Sequence, residues 1–273
     1  MKNVVYVFDL DKTIGYFTQI AIFMESIEEF IKRKLQLKEF FKLLDLFPKI
    51  FRPDAFFIFK YLKELKQKHK YVKVLIYTNN MGPKKWVHHI RKYIEHKINY
   101  KLFDRTISAW KVGNVIYEKC RTSHSKSVRD LARCSGVKIS DKICFLDDQQ
   151  HSKMIRHNVD YLYLYPYKYD YEFEKMSNMF LKSNLNILIK KESHTMFKES
   201  VLSFAKKDPY GYRYIERIAK NPQNYNNKEL ITYLKKFFKE NKRYTRSKKK
   251  KQNKTKKKAI NKATKKVTKK ASK

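Results

Sequence analysis

The chain has 273 residues, 42% of them hydrophobic and 15% aromatic, enough to bury one ordinary core plus an appendage. It contains no run near the ~18 apolar residues of a membrane-spanning helix, and its first apolar segment reaches an acid by residue 9, too soon for a signal peptide. This excludes membrane insertion and predicts an intracellular protein, cytoplasmic or nuclear and not secreted; Cys120, Cys134 and Cys144, odd in number and without CxxC spacing, predict three reduced thiols and neither a disulfide framework nor a zinc site.

The formal charge is +38, and residues 242–273 hold 17 Lys or Arg and no acid, yet the rest of the chain remains strongly basic without them. In chain order, "VVYVF" (residues 4–8) predicts a buried strand that runs into "DLDKT". Residues two apart on extended backbone point the same way, so Asp9 and Asp11 address one spot beyond the strand, with the Thr13 hydroxyl close behind. Clustered carboxylates repel unless a cation lies among them.

Ser26 to Phe47 reads as one helix opened by an N-cap-like Ser. A second helix follows in "FRPDAFFIFKYLKELKQKHK", where Ile58, Tyr61, Leu62 and Leu65 fall at helical spacing, and "KVLIY" (73–77) is a second buried strand ending at Thr78 and Asn79. Gly82 and Pro83 punctuate the turn into a helix with Val87, Ile90 and Ile94 on one face; His88 and His89 on that helix have no ligand-spaced partners and read as surface or packing residues. Lys126 to Cys134 reads as a short helix, "ICFL" (143–146) as a strand ending in Asp147 and Asp148, and "DYLYLY" (160–165) as a fourth strand. His151, just beyond the acids, reads as a solvated loop residue. Tyrosines recur at every second position from 161 to 171, but Pro166 interrupts them, which predicts a short strand followed by a loop.

Alternating β and α elements imply an α/β fold, a parallel sheet flanked by helices, whose site lies outside the carboxyl ends of the strands. Beyond residue 166 the pattern weakens into helical pieces, with an amphipathic run in "KELITYLKKFFKE". The lysine-rich tail, 242–273, lacks apolar residues to bury, so it is expected to be disordered and to bind nucleic acid nonspecifically through phosphate contacts.

The polar strand ends make one chemical set. Mg²⁺ takes oxygen ligands from carboxylates and substrate phosphate. A carboxylate beside a bound phosphoryl group can attack it while a second carboxylic acid protonates the leaving oxygen. A hydroxyl and an ammonium nearby stabilise the charge on the remaining oxygens.

"DLDKT", a hydrophobic strand ending in Thr78, a Lys ahead of a helix and a strand ending in "DD" resemble, in that order, the four motifs of the haloacid dehalogenase (HAD) superfamily of aspartate-dependent phosphatases, over residues 1 to about 165. Within it, "FRPDAFFIFKYLKELKQKHKYVKVLIYT" and "VRDLARCSGVKISDKICFLDD" are similar to the NLI-interacting-factor-like group, which includes the RNA polymerase C-terminal-domain phosphatases. The resemblance implies a HAD-like Rossmannoid catalytic domain over 1–166 with a helical insert near 16–50, a mostly helical extension over 167–241, and the tail. It implies Asp9 as nucleophile and metal ligand, and Asp11 as general acid/base with its carbonyl on the metal. Thr13, Thr78 and Asn79 would bind or support the phosphate, Lys126 would neutralise nucleophile and phosphate, and Asp147 with Asp148 would complete a Mg²⁺ shell.

The implied activity is hydrolysis of a phosphomonoester through an aspartyl-phosphate, with phosphoserine or phosphothreonine in a protein as the first substrate. Three positions depart from the pattern: Lys12 stands between Asp11 and Thr13, "TNN" follows the second strand, and "DDQQH" follows the third. The motif-three cation is either Lys126, 21 residues before Asp147, or Arg129, directly before Asp-Leu. "YTNNMG" is also similar to polynucleotide 3′-phosphatases, so a phosphorylated nucleic-acid end is the alternative substrate. A further alternative is an inactive HAD-fold binding module tethered by its basic tail.

Overall fold

The computed structural model describes residues 2–83, 85–207 and 229–242. Its centre is a five-stranded parallel sheet in the order β3-β2-β1-β6-β7, formed by β1 (Val4–Phe8), β2 (Val72–Tyr77), β3 (Arg105–Ile107), β6 (Lys142–Asp147) and β7 (Val159–Tyr163). The fold is α/β, a parallel sheet flanked by helices.

Alternation in β1 explains its central place. Val5 and Val7 join Leu75, Tyr77, Ile143 and Phe145 in one core layer, against Val128 and Leu131 of α5 (Val128–Ser135). Val4, Tyr6 and Phe8 point to the opposite, larger layer with Val74, Ile76, Cys144 and Leu146. A strand buried on both faces must be apolar at every position, which is why "VVYVF" shows no polar alternation.

The larger layer is covered by α3 (Ala55–Lys68), α4 (Trp86–Lys97) and the helix at 229–242, here α8. Leu230, Leu234 and Phe237 of α8 are buried; the Tyr6 hydroxyl donates to the Leu234 carbonyl at 3.2 Å, and its ring meets Phe237 edge-on at 5.4 Å. The amphipathic run read near residues 228–240 is thus a helix over its described part.

Ser26–Phe47 is not one helix. The chain forms α1 (Thr18–Ile31) and α2 (Leu37–Leu46), separated by Lys32 in the left-handed region at φ 56°. Ser26 lies buried inside α1 with its hydroxyl on the Phe23 carbonyl, and the true N-terminal signal is the reciprocal pairing of Gln36 with Glu39 at the start of α2. α6 (Phe173–Leu181) and α7 (His194–Lys206) pack on this pair, with Phe23 edge-on to Phe180 and Phe30 edge-on to Phe197. The extension after residue 166 therefore shares the core of the sheet domain.

The sequence reading also lacked β3 and a small antiparallel pair, β4 (Lys111–Val112) with β5 (Val115–Ile116). β7 ends at Tyr163; Tyr167 and Tyr171 turn inward while Tyr163 and Tyr165 are exposed, so the tyrosine spacing does not make one face. Cys120 and Cys134 are disulfide-bonded, with Cα atoms 5.2 Å apart, and Cys144 is a buried free thiol. This corrects the expectation of three reduced thiols: folding brings together two residues that spacing alone kept apart. No helix among the described residues is long and apolar enough to cross a membrane. The expected disordered tail lies outside the described residues apart from Lys242.

Candidate functional site

The order in which strands are added reverses at β1: β2 pairs on one side of it and β6 on the other, both parallel. A sheet opens a crevice at the carboxyl end of such a point. The pairing runs into the site itself, since the Asp9 amide donates to the Leu146 carbonyl at 2.9 Å and the Thr78 amide to the Ile107 carbonyl at 3.0 Å. Rigid strand ends therefore carry the polar side chains.

A cavity of about 140 Å³ opens there, lined by Asp9, Asp11, Lys12, Thr78, Asn79, Asn80, Lys126, Asp147, Asp148 and Gln149. Seven of the eight residues singled out from sequence line it. Thr13 is the exception: its hydroxyl contacts Asp148 Oδ1 at 3.3 Å and accepts from the Asp148 amide at 3.1 Å, which sets it behind the acid rather than on the wall.

Lys126 is fully buried and bridges two of the three strand ends. Its Nζ donates to Asp9 Oδ1 and, at 2.7 Å, to Asp147 Oδ2. Position follows from local structure: Ser127, on extended backbone, caps α5 through its side chain on the Asp130 amide at 3.1 Å, leaving Lys126 just ahead of the cap. Arg129, the other motif-three candidate, is exposed and lines a different cavity.

Burial drives the electrostatics. Desolvation, with Asp147 adding to it, pushes the Asp9 carboxyl up to about 7 against the pull of Lys126. Asp11 and Asp148 are also raised, chiefly by burial, although Asn80 Nδ2 donates to Asp11 Oδ2 at 2.7 Å. For Asp147 burial is outweighed by His151, Lys126 and the Gln149 amide, so its carboxyl is lowered. Burial opposes the charge on Lys126, but Asp9 and Asp147 more than compensate and its ammonium is raised. Four carboxylates face two ammonium groups in one small cavity.

That imbalance is the test for a metal. One oxygen from each of Asp9, Asp147 and Asp148 lies within 4.8 Å of the others, and all three residues are buried. A set of hard oxygen donors fits a hard divalent cation and suits neither a thiolate nor an imidazole metal.

Several positioning residues escaped the sequence reading. Arg52 reaches from the segment before α3 into the loop after β1, donating to the carbonyls of Thr13, Lys12 and Tyr165, each at 2.7 Å. Lys12 in that loop holds φ 60°, and Gly15 leaves no room for a side chain: an added Cβ would lie 2.5 Å from the Ile50 carbonyl oxygen. Arg121 clamps the second loop, donating to the carbonyls of Thr78 at 3.0 Å and Ser108 at 2.8 Å and to Asn79 Oδ1 at 2.8 Å. Asn79 is thus held by Arg121, while Asn80 holds Asp11.

His151 is not a solvated loop residue. Its side chain is 10% exposed and its Nε2 sits 3.4 Å from Asp147 Oδ2, a contact rather than an aligned hydrogen bond. Helical spacing gave no signal for it, because the contact is made across a tight turn after β6. His89 packs against Phe40 and His88 is exposed. Comparison of the chain with protein-family models, with curated proteins and with solved structures finds no match.

Proposed function

We propose that this chain is a Mg²⁺-dependent phosphomonoester hydrolase of the HAD type, working through an aspartyl-phosphate on Asp9. The observation that carries the reading is the convergence of four carboxylates and one buried ammonium from separate strand and helix ends on a single small cavity. Four carboxyl groups share the cavity with two ammonium groups, and burial raises three of the four, a cost that a bound divalent cation would relieve.

Asp9, Asp147 and Asp148 would hold the cation, with the Asp11 carbonyl. When bound, Mg²⁺ would neutralise phosphoryl oxygens and favour attack on phosphorus. Lys126 holds Asp9 Oδ1, so Oδ2 faces the task of forming the bond to phosphorus while the ester P–O bond breaks. Asp11, whose carboxyl burial raises, would pass a proton to the leaving oxygen; as a carboxylate it would then take a proton from the water that attacks phosphorus, releasing phosphate and restoring Asp9. Asn80 fixes the Asp11 carboxyl, and the Thr78 hydroxyl, which accepts from the Asn80 amide, would donate to a phosphoryl oxygen.

Hydrolysis of p-nitrophenyl phosphate by the full chain, with Mg²⁺ or with EDTA, tests this against Asp9→Asn. The expected result is Mg²⁺-dependent turnover abolished in the variant. Equal, near-background rates in both proteins would instead favour a binding module. The sequence resemblance ranks phosphoserine and phosphothreonine proteins first as substrates.

A further inference from the structure

A basic concavity lies outside the acid cluster. It has a volume of about 700 Å³ and is lined by Arg129, Arg133, Lys153 and Arg156, with several hydroxyl residues between them. Arg129 and Arg133 stand four residues apart on α5 and so share a face. Lys153 and Arg156 face them from the short turn at Ser152–Met154 and the residues after it. The one acid in the lining, Asp130, is already engaged by Arg133 and by the Thr122 amide and hydroxyl. Four cations thus surround a concavity with a single neutralised acid.

We infer that this cavity binds the phosphodiester backbone of single-stranded nucleic acid. Guanidinium groups and hydroxyls are phosphate donors, and with Asp130 taken by Arg133 the lining offers no further acid to Arg129, Lys153 and Arg156. A flexible strand can bend its phosphates into a concavity, whereas a stiff duplex presents them on a convex cylinder. A phosphopeptide would draw affinity from main-chain hydrogen bonds and apolar pockets, and Ile155 is the only large apolar residue in the lining.

The cavity and the acid cluster are joined along the chain: Lys126 lies two residues before α5, and His151 immediately precedes the turn that bears Lys153. A strand held there would present a terminal phosphomonoester to the cluster, reversing the substrate order drawn from the sequence resemblance. That last link rests on the hydrolase reading; the binding itself does not.

Fluorescence anisotropy of the full chain with a labelled oligothymidylate strand ending in a 3′-hydroxyl tests the binding without turnover. Arg129→Ser/Arg156→Ser is compared with the wild type from 50 to 200 mM salt, with Arg129→Lys/Arg156→Lys as the charge-keeping control. Both positions are exposed, and the lysine tail contributes equally to all three proteins. The serine variant should bind about tenfold more weakly, with a log–log salt slope shallower by about 1.4 for two lost single-strand contacts, and the lysine variant should keep the slope. Unchanged affinity and slope in the serine variant would overturn the proposal. So would displacement of the strand by an equal or lower concentration of a doubly phosphorylated peptide.

Discussion

Asp9 and Lys126 define each other's charge state, and pH exposes the balance. An unfolded Asp titrates near ~3.9, whereas burial holds folded Asp9 up to about 7 in the metal-free chain. Between those values the folded protein keeps a proton that the unfolded one has released, so stability falls as pH rises across the window. Asp11 and Asp148, raised as well, act with the same sign. Asp147, lowered, acts only below the unfolded value, and His88 and His89, lowered by burial, oppose the trend toward neutrality. Urea denaturation in EDTA at pH 5 and pH 7.5 should show the wild type losing more stability than Asp9→Asn; equal losses would show that Asp9 is not the titrating group. Lys126→Met removes the partner of two buried carboxylates and should cost about 3–5 kcal/mol in the same assay. A change below about 1 kcal/mol would mean that the carboxylates are not paired through this ammonium.

At the scale of elements, the site depends on two loops held by arginines. Arg52 gives three hydrogen bonds to main-chain carbonyls and lies over the Tyr167 ring at 5.5 Å; burial lowers its guanidinium to about 10. Removing it takes the donor from the Thr13 and Tyr165 carbonyls around a loop already carrying Lys12 in the left-handed region, so Arg52→Ala should destabilise the chain by about 2–4 kcal/mol. Arg52→Lys should recover little, because an ammonium cannot reproduce the planar fork. Thermal denaturation of both variants checks this; full rescue by Lys would assign Arg52 a charge role only.

The strands β1, β2 and β6 were legible because each is a near-continuous apolar run ending in acids or Thr, which is the mark of a strand buried on both faces. β3 was not, since three residues at a sheet edge carry no period. The break between α1 and α2 was hidden because apolar spacing continues through it and Lys32, not a glycine, takes the left-handed turn. The carboxylates could be read from residue types at strand ends, whereas the sequence left the cation open between Lys126 and Arg129; the clamps Arg52 and Arg121 act on backbone carbonyls, which no side-chain motif reveals.

For the whole molecule, the extension and the sheet share one large core, and a covalent link spans Cys120 and Cys134. The linked loop contains Arg121 and Lys126, so it restrains the segment that supplies both the loop clamp and the ammonium. Closing a loop of ~15 residues stabilises by about 3 kcal/mol on chain-entropy grounds. Denaturation with and without a reductant should show a loss of that order, matched by Cys134→Ser without reductant. No loss would mean that the thiols are unpaired in solution.

The crowding of buried carboxyl groups in the cavity makes a divalent cation the centre of the account, and thermal denaturation of the full chain in EDTA and in Mg²⁺ measures it most directly. A ligand present at about 100 times its Kd adds about 2.7 kcal/mol to the folded state. The account predicts that Mg²⁺ raises the Tm of the wild type and leaves that of Asp147→Asn/Asp148→Asn unmoved. The same Mg²⁺-induced rise in both proteins, or none in either, would contradict it.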